Sequence, residues 1–191
     1  MLTLPTTHIA VWGASVRPHS ITMAGDSVTA TVEVNVTVVN AAGAPSKVVV
    51  SVQLVDKHGA ARGASAQSGS ATTIPANSSN VSVTVSVPMQ LKRSELWSVD
   101  TPTLFSANIT LNSGVDEDTV TESFGVRTLS FTSTKGFLLN GVATKLRGGA
   151  MHHDNGPLGS AAIDRAEERR IQTLRGNGCA HAPATVSLPV C

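Results

Sequence analysis

The sequence predicts a mainly β protein, an immunoglobulin-like β-sandwich followed by the beginning of an α/β segment. Three observations support this class. Apolar and polar residues alternate with a period of two in several separate stretches, which is typical of half-buried strands. Segments rich in Gly, Pro, Asn and Asp separate these stretches. After about residue 130 the alternation gives way to a hairpin, a loop and a helical pattern, so we expect a second domain to begin there.

The first 130 residues carry the predicted sandwich strands. A first strand is expected around residues 8–16, and the clearest alternation runs from Val28 to Val38, where apolar residues alternate with Thr, Glu and Asn. Further strands of the same pattern are predicted at 48–54, 81–87, 105–111 and 120–126. Six or seven strands in about 120 residues suit an immunoglobulin-like sandwich. We therefore assign residues 1–130 to this domain.

The remaining residues, 131–191, are predicted to form the start of an α/β domain. Asn140-Gly141 lies between two short apolar runs, and this pair accepts the positive φ angles of a type I′ hairpin turn. A strand is expected at 145–149 and a loop at 150–160. A helix then begins at Asp164, and the "GNG" of residues 176–178 ends it.

Composition excludes several classes of partner. The net charge is +1, and no stripe of Lys and Arg with interleaved aromatic residues suggests a nucleic-acid partner. No apolar window is long enough for a membrane span, and the N-terminus lacks the pattern of an export signal. Cys179 and Cys191 form neither a disulfide framework nor a metal motif. We predict no nucleic-acid partner, no membrane partner and no particular oligomeric state.

Two groups of residues could carry chemistry. Glu167 and Glu168 are the only glutamates after residue 122, but neighbours on a helix diverge by about 100°, and pairing with nearby arginines explains them. We reject them as a catalytic pair. His152, His153 and Asp154 follow a predicted strand, where α/β barrels place functional groups. A metal site needs more ligands, so we predict no metal here, and the loop remains a candidate site of unassigned chemistry.

Four ordered motifs carry a resemblance to a known family. They are "LWSVDTPTLFSANITL" (96–111), "VTESFGVRTLSF" (120–131), "GFLLNGVATKLRGGAMHHDNGPLG" (136–159) and, less closely, "GNGCAHAPAT" (176–185). Together they resemble glycoside hydrolase family 2, the β-galactosidase and β-glucuronidase group. The resemblance implies an immunoglobulin-like middle domain followed by the first part of a catalytic (β/α)8 barrel.

The resemblance also implies roles for individual residues. His152 resembles a histidine of the first barrel loop that lines the sugar pocket. His181 resembles the histidine of an "SHNP"-like motif, although this chain reads "CAHAPAT" and lacks the Asn-x-x-Arg expected before it. We take His152, Asp154 and His181 as candidate substrate-binding residues. The two catalytic glutamates of the family lie further along the barrel and are absent here.

The predicted function is that of a fragment of a retaining β-glycosidase, β-galactosidase-like, which hydrolyses terminal β-glycosides in its complete form. The expected partner of the full-length relative is a carbohydrate substrate, and no cofactor is expected. The chain alone is expected to be inactive. The alternative is a non-catalytic β-sandwich interaction module. Sugar binding by such a module is disfavoured, because only Trp12 and Trp97 could stack on a sugar and the chain has no Tyr.

Overall fold

A computed structural model of the protein describes residues 4–145 and 156–176. These residues are mostly in strands, as the sequence predicts, with one α-helix and two short 3₁₀ turns. The elements in chain order are β1 (Thr7–Ala24), β2 (Ser27–Asn40), β3 (Ser46–Val55), β4 (Ala66–Gln67), β5 (Thr72–Ile74), β6 (Ser78–Lys92), β7 (Phe105–Asn112), β8 (Glu117–Phe124), β9 (Leu129–Thr132), β10 (Gly136–Leu139), β11 (Val142–Ala143) and α1 (Asp164–Gly176).

The chain divides into two compact units. The first runs to Trp97 and resumes at Thr101–Arg127, and the second combines Ser98–Asp100 with the chain from Thr128 onward. In the first unit, antiparallel strands form one sheet of order β1-β2-β6 and a second of order β4-β3-β7-β8, with β5 also pairing with β3. This arrangement is a β-sandwich, and the predicted mainly β fold is confirmed.

The core of the first unit follows directly from the two-residue period. In β2 every second residue from Val28 to Val38 is fully buried, and those between them remain partly or wholly accessible. Alternate residues of β3, β6 and β7 join the same hydrophobic cluster, which contains Leu54, Met89 and Phe105. Burying each large aliphatic or aromatic side chain contributes about 1.5–3 kcal/mol. The alternation predicted from Val28 to Val38 therefore gives β2 a continuous buried face in this core.

Strand lengths differ from the predicted ones. β1 continues to Ala24, and it does so through two irregularities in its pairing with β2, one between Ile9 and Ala14 and one between His19 and Thr22. These bulges insert residues that break the period of two, which is why the sequence pattern ends the strand too early. The short strands β4 and β5 lie in or beside the segment predicted as a turn-rich loop. They have two and three residues, too few to show a periodicity.

Asn40 is a fully buried polar residue at the end of β2. Its side-chain Nδ2 donates to the carbonyl oxygens of Ala44, Ile74 and Pro75 at 2.9, 3.3 and 3.1 Å. Its Oδ1 accepts the N–H of Ala42 at 3.0 Å. A buried amide with this many partners offsets its own desolvation and fixes the chain segments that it joins. Asn40 therefore holds the loop after β2 to the segment that follows β5.

Two aspartates connect the beginning of β1 to β8 without backbone pairing. The N–H of Ile9 donates to Asp118 Oδ2 at 2.8 Å, and the N–H of Thr7 donates to Asp116 Oδ2 at 3.4 Å. β8 is the last strand in its sheet. These hydrogen bonds thus occupy N–H groups of β1 that would otherwise be free to donate to the carbonyl groups of another strand.

The second unit contains an antiparallel meander of order β11-β10-β9 and helix α1. The rings of Phe131 and Phe137 lie 5.1 Å apart between their centroids, and all residues of β9 are exposed. The sequence predicts a strand at 145–149. Lys145 is not in a strand, and residues 146–149 lie outside the described part. Helix α1 begins at Asp164, as predicted. The barrel segment, the boundary at residue 130 and the immunoglobulin-like topology stay predictions.

Candidate functional site

The sequence-predicted site residues lie outside the described residues. His152 and Asp154 fall in the gap between residues 145 and 156, and His181 follows residue 176. Their arrangement therefore stays a prediction. What it does describe is the hairpin of β10 and β11, which leads into the candidate loop, and the residues around that hairpin.

The turn of this hairpin is fixed by Asn140. Asn140 has φ of 52° and Gly141 has φ of 79°, so both central residues adopt the left-handed conformation of the predicted type I′ turn. The Asn140 side-chain Oδ1 accepts the N–H of Thr128 at 2.9 Å, and the Asn140 N–H donates to the Thr128 carbonyl at 2.9 Å. The same residue therefore shapes the turn and joins it to the chain that enters β9.

An open cavity of about 540 Å³ lies beside this hairpin, within the second unit. Its walls are residues 98–100 on one side and residues 139–140 and 142–145 on the other. Leu139 is its buried apolar element. The polar residues that line the cavity are Ser98, Asp100, Asn140, Thr144 and Lys145. This volume falls within the range of small-molecule sites.

The polar residues of these walls can form hydrogen bonds with a ligand. Hydroxyl, amide, carboxylate and ammonium groups can all bind a polyhydroxylated ligand. Asp100 is the one carboxylate among the described residues of the walls. Hydrolysis of a glycoside by the common mechanism requires two carboxyl groups on opposite sides of the bond. The described cavity can therefore contact a sugar or a neighbouring segment, but it does not supply a catalytic pair.

The two adjacent glutamates of α1 have structural partners. Glu168 forms an ion pair with Arg165 at 2.7 Å, and Glu167 faces Arg170 at 3.4 Å. Both pairs are spaced i,i+3, and such pairs contribute a few tenths of a kcal/mol to an exposed helix. The rejection of Glu167 and Glu168 as catalytic acids agrees with this geometry.

Three residues of the quoted sequence motifs pack together in the first unit. The guanidinium carbon of Arg127 lies 4.4 Å from the centroid of the Trp97 ring, a cation–π contact. The Trp97 N–H donates to the Val126 carbonyl at 2.8 Å. A Cβ atom placed on Gly125 would come within 2.9 Å of Trp97 Cδ1. The indole of Trp97 is therefore engaged in packing within the chain.

Trp12 differs from Trp97 in its solvent exposure and in its backbone conformation. It lies in the first bulge of β1, its side chain is 95% exposed, and its φ is 59°. A bulky residue in this conformation is strained by about 1–3 kcal/mol. Sequence reasoning missed this feature, since Trp12 was considered only as a sugar-stacking ring. The signal that could have found it is "AVWGA", which interrupts the alternation of β1 with a large residue before a glycine.

The loop after β3 contains the one clear electrostatic perturbation among the described residues. Asp56 Oδ1 accepts the backbone N–H groups of His58 and Ala60 at 2.9 and 3.0 Å. These hydrogen bonds favour the carboxylate and lower the pKa of Asp56 below its ordinary value. They stabilise a turn, and Asp56 is not part of the cavity.

Two further kinds of site are not found in the described ranges, 4–145 and 156–176. There, no three side chains of His, Cys, Asp or Glu are grouped so that they could bind a metal ion. None of the helices in these ranges has the length and apolar character that a bilayer crossing requires.

Comparison with known proteins gives consistent results. Residues 14–127, more than half of the chain, match the model of the family described as glycosyl hydrolases family 2. The chain is 33% identical over 173 residues to the β-galactosidase BoGH2A of Bacteroides ovatus, a match that covers 90% of this chain and 19% of that enzyme. It is 29% identical over 94 residues to a β-glucuronidase of Bacteroides fragilis, covering 48% of this chain and 14% of that enzyme.

A solved structure gives the same relationship in three dimensions. The crystal structure of a glycosyl hydrolase family 2 member from Bacteroides cellulosilyticus superposes with a TM-score of 0.73 at 32% identity. The match covers 91% of this chain and 23% of that one. The chain thus spans about a fifth of the length of these two longer relatives.

Proposed function

The chain belongs to glycosyl hydrolases family 2, and from this we propose that it is a scaffold portion of a retaining β-glycosidase. In this proposal residues 1–130 are the immunoglobulin-like sandwich and residues 131–191 are the beginning of the catalytic barrel. The complete enzyme hydrolyses terminal β-glycosides, with a β-galactoside as the preferred class. The observation that carries the proposal is that similarity to BoGH2A, a β-galactosidase, extends over 90% of the chain.

The proposed role of this portion is to position the catalytic part and to contribute to the sugar pocket. His152, Asp154 and His181 are proposed to line that pocket in the complete enzyme, where the loop after the first barrel strand opens toward the substrate. The Asn140 turn supports this proposal, because it pairs β11 with β10 and joins both to the chain that enters β9, just before the candidate loop in sequence. Asp100 is the one carboxylate residue among the described walls of the cavity, and the common mechanism requires two carboxyl groups, so the portion itself is proposed to be inactive.

The first test uses the chain alone with an aryl β-galactoside and an aryl β-glucuronide. We expect no turnover above the buffer rate, and Glu167→Gln and Glu168→Gln serve as controls. A rate that disappears in either variant would contradict the proposal, because it would assign catalysis to the helix pair.

The second test places the chain in a complete enzyme. A chimera in which this chain replaces the matched segment of BoGH2A should hydrolyse the aryl β-galactoside. His152→Ala in the chimera should lower kcat/KM while the melting temperature stays unchanged, and Ser160→Ala, eight residues further along, is the matched control. A folded chimera whose activity is insensitive to His152→Ala would remove this residue from the pocket.

A further inference from the structure

The first bulge of β1 presents an apolar pair to solvent. Val11 is 75% exposed and Trp12 is 95% exposed, although the residues on either side of the bulge, Ile9 and Ala14, face the core. We define Val11 and Trp12 as the β1 knob. A tryptophan is among the largest apolar surfaces that a side chain can offer, and at this position it contacts almost nothing in the described chain.

The backbone holds the knob in a definite position. Trp12 has a φ of 59°, a strained value for a bulky residue. The residue after it cannot be enlarged, because a Cβ on Gly13 would lie 2.8 Å from both the Cβ and the carbonyl oxygen of Ala10 and 3.0 Å from the carbonyl oxygen of Thr37. The bulge is therefore packed tightly underneath while its side chain points away from the core. A strained residue whose side chain makes almost no contact within the described chain supports the hypothesis of a functional contact outside it.

We propose that the β1 knob is an anchor for the remaining part of a family 2 polypeptide, in which Trp12 inserts into an apolar pocket. This proposal rests on the proposed function, since it requires the chain to be a portion of a longer enzyme. The match to BoGH2A covers only 19% of that enzyme, so a complete enzyme of this kind contains a large further polypeptide that is available to cover the knob. Tryptophan is the residue most enriched at the centres of such contacts.

A sugar is the less favoured occupant of the same surface. A pyranose binds by stacking on an aromatic ring and by hydrogen bonds from polar side chains around it. The immediate neighbours of Trp12 in the chain are Val11 and Gly13, which offer no polar side chain. An apolar knob with an aliphatic neighbour fits a protein pocket better than a saccharide.

The experiment compares Trp12 in the isolated 191-residue chain and in the BoGH2A chimera by hydroxyl-radical footprinting with mass spectrometry, which reads each tryptophan separately. Oxidation of Trp12 should be high in the chain and several-fold lower in the chimera. Oxidation of Trp97, a half-buried residue that packs against Gly125 and Arg127, should be equal in both and serves as the internal reference. Because footprinting needs no turnover, an inactive but folded chimera would contradict the proposed function and still test the anchor.

Substitutions give the second measurement. In the isolated chain, Trp12→Gly relieves the strain and removes no contact, so the melting temperature should stay the same or rise by up to about 4 °C. Ser20→Gly is the matched control, because Ser20 is an exposed residue of β1 with φ of 50°. In the chimera, Trp12→Gly should lower the melting temperature and Ser20→Gly should not.

Three outcomes would overturn the anchor. A fall of the melting temperature by more than about 4 °C in the isolated Trp12→Gly chain would show that Trp12 is held by contacts within the chain, even where the chimera does not fold. Equal oxidation of Trp12 in the chain and a folded chimera would show that no pocket covers it. A saturable change of Trp12 fluorescence with galactose or glucuronate, in a Trp97→Phe chain, would make the knob a sugar-binding surface instead.

Discussion

Gly125 provides the sharpest test of the packing around Trp97. An alanine Cβ at this position would lie 2.9, 3.0 and 3.1 Å from Cδ1, Cβ and Cγ of Trp97, all shorter than normal van der Waals contact. The side chain of Trp97 cannot move away freely, because Arg127 lies over its ring and the backbone N–H of Trp97 donates to the Val126 carbonyl. We therefore expect Gly125→Ala to force a local displacement of the motif.

The magnitude follows from two opposing effects. Overpacking of a well-filled site costs about 1–3 kcal/mol, whereas replacing glycine by alanine restricts the unfolded chain and stabilises the protein by about 0.4–1 kcal/mol. Gly43→Ala isolates the second effect, because a Cβ on Gly43 meets no atom within 4 Å. The difference between the two variants in free energy of unfolding should therefore equal the packing cost alone, about 1–3 kcal/mol.

The assay is urea denaturation followed by far-ultraviolet circular dichroism, with both variants and the parent chain measured under the same conditions. The m-values should agree, so that the midpoints report stability directly. Near-ultraviolet circular dichroism in a Trp12→Phe background should change for Gly125→Ala, since only Trp97 then contributes an indole signal. Equal stability of Gly125→Ala and Gly43→Ala would refute the reasoning, because it would mean that the Trp97 site has room for a methyl group.

Three further predictions concern polar groups. Asn40→Ala should lower the free energy of unfolding by about 2–4 kcal/mol, because it leaves three buried or part-buried carbonyl groups without this donor. Urea denaturation measures this, with Asn35→Ala, on the half-buried polar face of β2, as the control. Asn140→Ala should lower the melting temperature and speed amide exchange at Thr128, and Asn140→Gly should recover the part due to backbone strain. In an NMR titration, the pKa of Asp56 should lie below its ordinary value. The stability that the Asp56 carboxylate adds relative to Asp56→Asn should be present at neutral pH, and it should vanish as the pH falls through the lowered pKa of the folded state.

Each of these three has an outcome that would contradict it. If the Asn40→Ala and Asn35→Ala variants were equally stable, the buried hydrogen bonds of Asn40 would not stabilise the fold. An unchanged rate of amide exchange at Thr128 in the Asn140→Ala variant would mean that the Asn140 side chain does not hold the turn to the chain that enters β9. An Asp56 carboxyl with an ordinary titration would show that the hydrogen bonds from His58 and Ala60 do not persist in solution.

The sequence predicted those parts of the fold that rest on a repeated local pattern. The buried face of β2 follows from alternation between Val28 and Val38, and the turn at Asn140 follows from the tolerance of Asn-Gly for positive φ. The bulge at Trp12 could not be predicted in this way. Its conformation depends on how β1 pairs with β2, and an inserted residue removes the periodicity by which a strand is recognised.

The candidate site was predictable only by resemblance. Local patterns near His152 and Asp154 give a loop with two polar groups, and such a loop is common among proteins without any site. The polar groups around the described cavity come from residues 98–100 and 139–145, which are about forty residues apart in sequence. No periodicity or spacing connects them, because the proximity arises from the folding of the second unit.

The carboxylates of Asp116 and Asp118 have a consequence for solubility. Sheet margins with free amide donors recruit strands from other molecules, and this recruitment is a common first step of aggregation. By accepting the N–H groups of Thr7 and Ile9, the two aspartates remove such donors and place negative charge where a foreign strand would dock. Replacing both by asparagine would keep acceptor oxygens but lose the negative charge, so at this margin charge opposes the docking of a foreign strand in addition to the hydrogen bonds.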